Sequence, residues 1–173
     1  MKRLWFLLVA LMVAVSALAQ SDPWAPLRVF EGKWEGVTSG KPGKGTTARE
    51  YRFELNGKFL FQRDRSVYQP ADPAAKPLAH EDFGVFSYDS DLKKILWRQF
   101  HSEGFVNEYA LESVSADGKS LEFVTTHIEN LAGFRAKKQY RIVSGSEIEE
   151  TFWLAPPDKD FAIYTVANVK RVQ

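Results

Sequence analysis

The feature that most constrains this chain is a succession of short runs rich in Phe, Tyr, Trp, Val and Thr, each closed off by turn residues. Lys33–Thr38 is the first. Thr46–Leu55 and Phe59–Tyr68 flank Asn56-Gly57, a pair suited to a two-residue hairpin because both residues tolerate positive φ. Glu81–Tyr88 and Lys94–His101 surround Asp89-Ser90-Asp91, and Phe105–Val114 and Ser120–Ile128 surround Ala116–Lys119. Phe134–Val143 and Glu147–Leu154 bracket Ser144-Gly145-Ser146, and Phe161–Val172 comes last. Runs at this spacing, without helical periodicity between them, predict an all-β antiparallel domain of about ten strands. Short turns make consecutive strands neighbours in meander order. An up-and-down β-barrel is the arrangement that hides the edges of so many strands.

Two connections are longer. Gln69–Ala79 contains Pro70, Pro73 and Pro77 and reads as a flap or a surface loop, since a central strand does not carry prolines. Ala155–Asp160 holds Pro156 and Pro157. Ahead of the first strand, Asp22 and Pro23 suit the start of a short helical segment over Pro23–Phe30.

Residues Met1–Ala19 have the layout of a secretory signal. Lys2 and Arg3 precede the apolar run Leu4–Val15, and Ala17-Leu18-Ala19 supplies small residues before Gln20. The run is shorter than the roughly 20 residues a spanning helix needs. The expectation is an exported, periplasmic or secreted protein, with residues 20–173 as a single barrel domain and no stable membrane anchor after cleavage. Loss of Lys2 and Arg3 turns the formal net charge of +1 into −1. A near-neutral domain argues against nucleic acid as a partner. The chain has no cysteine, which excludes disulfides, thiol catalysis and thiolate metal sites. Serines 66, 87, 102, 113 and 115 lack a nucleophile-elbow context. Gly40–Gly45 precedes a strand instead of a helix and does not match a phosphate loop.

Alternation suggests which side chains share a face. Tyr51, Phe53 and Leu55 do, as do Phe105, Tyr109 and Leu111, and Leu121, Phe123, Thr125 and His127. Phe134, Tyr140 and Ile142 fall together with Lys138. Arg63 and Arg65 share the face of Phe59, Phe61 and Val67. If that face is the interior, two guanidiniums there would call for an anion. The alternative is that they point outward or pair with an acid such as Glu150. The candidate ligand-binding set is therefore Tyr51, Phe53, Arg63, Arg65, Trp97, Gln99, Tyr109, Phe123 and Tyr140, with simple core packing as the competing role for the aromatics. His101 and His127 are the candidates for a metal or haem, but no carboxylate recurs at ligand spacing beside them and His80 reads as a loop residue. No metal, cofactor or catalytic constellation is expected.

Phe30-Glu31-Gly32-Lys33-Trp34-Glu35-Gly36 opens the first strand, and Val169-Lys170-Arg171-Val172 closes the last. This resembles the calycin signature shared by lipocalins and fatty-acid-binding proteins, a Gly-x-Trp on the first strand and a basic residue on the final one. The resemblance assigns Gly32, Trp34 and Arg171 to barrel closure, with the guanidinium on the indole face. Residues 20–173 as a whole resemble the fatty-acid-binding-like barrels of bacteria, a set mostly of unknown function. Phe83–Asp89 and Lys94–Trp97 are similar to the middle hairpin of nitrobindin-like haem-binding barrels. Those hold haem through a histidine near the last strand, and residues 161–173 contain none. The resemblance implies an interior cavity. The expected function is to bind a small apolar or amphiphilic ligand there, as a monomer or weak dimer. The alternatives are a haem barrel, a small-molecule isomerase or lyase, and a closed barrel acting through its surface.

Overall fold

A computed structural model of the protein describes residues 22–70, 72 and 74–172; residues 1–19, expected to be a secretory signal, lie outside them. Ten antiparallel strands form one closed barrel. They are β1 (Gly32–Gly40), β2 (Gly43–Glu54), β3 (Phe59–Tyr68), β4 (Leu78–Asp89), β5 (Lys94–His101), β6 (Val106–Val114), β7 (Ser120–Glu129), β8 (Arg135–Ser144), β9 (Glu147–Ala155) and β10 (Ala162–Val172). Each strand pairs with its successor and β10 returns to β1, which leaves no free edge. A 3-10 helix, Ala25–Phe30, precedes β1.

The two ends of the barrel differ. At one end the 3-10 helix acts as a plug, burying Leu27 and Phe30 together with the preceding Trp24. Trp24 meets Phe53 edge-on with ring centroids 5.5 Å apart, and Phe30 meets Tyr51 at 5.3 Å and Tyr140 at 4.9 Å. Below the plug the interior is packed solid. Trp97 is stacked between Phe86 and Tyr109, each 4.7 Å away, with Phe123 edge-on at 5.5 Å. Gly84 makes this possible: a Cβ there would lie 2.5 Å from Trp97 Nε1 and 2.7 Å from Gln62 Oε1. At the other end, β3 finishes at Tyr68 and β4 starts at Leu78.

Closure follows the terminal residues. Trp34 and Arg171 are direct register partners on β1 and β10. The guanidinium sits 4.4 Å from the centroid of the indole ring. Arg171 also donates to the carbonyl of Glu31 and, at 2.6 Å, to that of Val29, tying the last strand to the plug. Trp34 Nε1 donates to the Phe30 carbonyl at 2.7 Å.

Candidate functional site

On β3 the alternative in which Arg63 and Arg65 point outward is the one that holds. Its interior face is Leu60, Gln62, Asp64, Ser66 and Tyr68, all buried. Phe59, Phe61, Arg63, Arg65 and Val67 face outward. Arg65 pairs with Glu81 at 3.0 Å, and Arg63 lies over the Phe83 ring at 5.5 Å. The two arginines therefore do not enter the barrel. The reason is register: Tyr51 stands opposite Gln62 and Phe53 opposite Leu60, and directly opposed residues share a face. An inward Tyr51 requires an inward Gln62, however polar the rest of that face.

The same registers assemble a row of charge across four strands. Arg49 on β2 faces Asp64 on β3, Asp64 faces Asp82 on β4, and Asp82 faces His101 on β5. All four side chains point inward and are nearly completely buried. Arg49 reaches Glu150 on β9 at 2.6 Å and Asp64 at 3.0 Å, so its guanidinium is held by two carboxylates. Lys138 on β8 approaches Glu150 at 3.6 Å and lies over the rings of Trp97 and Phe152. Ser66 donates to Thr47, and Thr47 donates to Asp64 at 3.2 Å.

These groups form the floor of a cavity of about 270 Å³ that opens at the end opposite the plug. Its upper walls are apolar, from Tyr68, Leu78, Phe105, Leu131, Phe152, Leu154 and Tyr164. Its floor and one side are polar, from Arg49, Asp64, Lys138, Glu150, His80, Asp82, His101 and Asn107.

The electrostatics follow from burial working against these partners. Burial would raise the Glu150 carboxyl, but the Arg49 guanidinium and the Lys138 ammonium outweigh it and hold the group below the ordinary glutamate value. Asp64 moves the other way. Its desolvation exceeds what Arg49 returns, and nearby Asp82 adds repulsion, so its pKa is raised. Burial likewise opposes ionisation of Asp82, yet His101 and His80 bring its pKa well below the usual carboxylate range. Burial disfavours the His80 imidazolium, but Asp82 and Glu103 on either side raise its pKa to about 9.

The expected ligand set is distributed differently from this cavity. Tyr51, Trp97, Tyr109, Phe123 and Tyr140 belong to the packed half, each at most 3% exposed, and none of them lines the cavity. Phe53 packs under the plug against Trp24. Gln99 is buried and donates to Asp82 Oδ2 at 2.8 Å, a supporting position beside the cavity. His127 is exposed, because a bulge opposite Glu108 and Tyr109 shifts β7 by one residue and turns Ile128 inward in its place. His101 does reach the cavity. His80 is not a loop residue: β4 begins at Leu78, three residues earlier than alternation suggested. The carboxylate missing from the sequence reading is Asp82, two residues beyond His80 on the same strand face and directly opposite His101. His80-Glu81-Asp82 was visible as a His-x-Asp pattern; its value depended on extending β4 back through it.

In fold, the chain is similar to Rv2717c from M. tuberculosis, with a TM-score of 0.69 at 18% identity over 88% of this chain and 99% of that one. It is also similar to the S-type phycobiliprotein lyase of Guillardia theta, with a TM-score of 0.53 at 9% identity over 84% and 89% of the two chains. These likenesses extend over the barrel and support a calycin-like fold. No family model matches the sequence, and no curated protein does.

Proposed function

We propose that this barrel binds a small amphiphilic molecule, taken head-first into the open end. The observation carrying this reading is the cavity itself, apolar at its walls and charged at its floor. Lys138 is the head-group contact. Arg49 is already engaged by two carboxylates, whereas the Lys138 ammonium has one carboxylate at 3.6 Å among the described residues and retains donors for an acceptor group. A carboxylate or carbonyl there would sit under Phe105, Leu131, Phe152 and Leu154, which desolvate the apolar part. Export accompanies this reading and rests on residues Met1–Ala19; the mass of the purified protein from the exported fraction should place its N-terminus at Gln20.

The test is calorimetric titration of chelator-treated protein with octanoate and with octanol. Octanoate should bind more tightly, and Lys138→Met should weaken it by about tenfold or more, as expected for loss of a charge-assisted hydrogen bond, with little change for octanol. Equal affinities for the two probes, or an unaltered octanoate affinity in the variant, would remove Lys138 from the site.

A further inference from the structure

Three donor atoms on the cavity wall converge in a way that hydrogen bonding does not explain. His80 Nε2 lies 2.9 Å from Asp82 Oδ1, and His101 Nδ1 lies 2.7 Å from the same oxygen. Neither approach aligns an N–H with that oxygen. Asp82 Oδ1 and His101 Nδ1 are both buried without a hydrogen-bond partner among the described residues. Both side chains are more than nine-tenths buried, with 5% and 6% of their surface exposed. Their contacts are ion-pair distances without an aligned N–H, so the hydrogen-bonding capacity of these buried atoms is left unmet. A cation placed between them would satisfy both.

The surroundings are arranged as a metal site requires. His80 and Asp82 are two apart on β4 and so project from one face, and His101 stands directly across from Asp82 on β5. The remaining heteroatom of each residue is held from behind. His80 Nδ1 lies 2.7 Å from Glu103 Oε1, Asp82 Oδ2 accepts from Gln99 at 2.8 Å, and His101 Nε2 lies 3.0 Å from the side-chain amide of Asn107, whose Oδ1 is otherwise without a hydrogen-bond partner among the described residues and, with the amide turned over, accepts the His101 Nε2–H when Nδ1 binds a metal. Metal-binding imidazoles and carboxylates are characteristically oriented by such outer partners. Tetrahedral coordination at about 2.0–2.1 Å puts ligand atoms roughly 3.3 Å apart, so the triad has to open by about half an ångström. Small side-chain rotations supply that.

We propose that His80, Asp82 and His101 bind a divalent transition-metal ion, zinc by the character of their two-nitrogen, one-oxygen donor set, with its remaining coordination open to the cavity. Three protein ligands and an open position match sites that hold an exchangeable water or a ligand atom rather than sites that only staple a fold. This inference does not depend on Lys138 or on the amphiphile.

The experiment is titration of the chelator-dialysed full chain with Zn²⁺ by calorimetry, and with Co²⁺ by visible absorption. The wild type should take up one equivalent, raise its Tm and give the intense visible bands of low-coordinate cobalt. Asp82→Asn and His101→Gln should each weaken zinc by more than about 100-fold, and Glu103→Gln by about tenfold, the usual cost of losing an outer partner. His127→Ala, on the outer face, should bind as wild type. Circular dichroism checks the fold of each variant, and His80→Gln, nearer the mouth, decides the matter if the buried variants misfold. No uptake by the wild type, or wild-type affinity in a folded ligand variant, overturns the site.

Discussion

At the scale of single residues, this protein places charged side chains deep inside its barrel. Glu150 is the most exacting case, fully enclosed yet kept ionised by Arg49 and Lys138. Its pKa is lower in the folded protein than the ordinary 4.5, so its contribution to stability is complete above that value and is lost as pH falls through the folded-state pKa. The urea midpoint of the wild type should therefore decline on acidification with a component that Glu150→Gln lacks. At neutral pH the variant should be less stable by about 3 kcal/mol, because it weakens a buried charge network without removing Arg49. Parallel midpoint-versus-pH curves for the two proteins would show that folding does not lower the Glu150 pKa. Arg63 and Arg65 teach the complementary lesson. Their exposure was not legible from their own strand, whose outer face is the more aromatic of the two, but it was implicit in the hairpin. Asn56-Gly57 with Tyr51 and Phe53 inward already puts Leu60, Gln62 and Asp64 inward as well.

At the scale of elements, the ends of the chain do the closing. β1 and β10 pair over eight register positions, and Arg171 links the last strand to Trp34 and to two carbonyls of the plug. Trp34 is wholly buried and bonded to Phe30, so Trp34→Ala removes a core side chain and an anchor of the 3-10 helix together. The expected loss is about 3–5 kcal/mol by chemical denaturation, and a change under 1 kcal/mol would mean that closure does not depend on the indole. Strand existence was readable because ten runs of β-forming residues were punctuated by turn chemistry. Strand ends were not. β4 begins at Leu78, which brought His80 into the sheet, and the bulge in β7 carried His127 out of the interior. A bulge is one extra residue whose location depends on the partner strand, so alternation within a single run does not reveal it.

At the scale of the whole molecule, the barrel is divided along its axis into an aromatic half sealed by the plug and a polar half with a mouth. That division assigns the roles of nearly every candidate residue. Tyr51, Trp97, Tyr109, Phe123 and Tyr140 stabilise the closed half, while Arg49, Asp64, Asp82, His101, Lys138 and Glu150 form the chemical surface of the open one. From the sequence alone came the all-β class, the strand count and the closed meander, because each rests on local periodicity and turn chemistry; the Trp34–Arg171 pairing came from the resemblance to the calycin signature. Periodicity has only two values, inside or outside, and says nothing about height within the barrel. Height is set by the stagger between neighbouring strands, accumulated around the closed sheet. Only the tertiary structure could place Arg49, Asp64, Asp82 and His101 side by side on four successive strands, since their adjacency is a sum of registers and not a spacing in the chain.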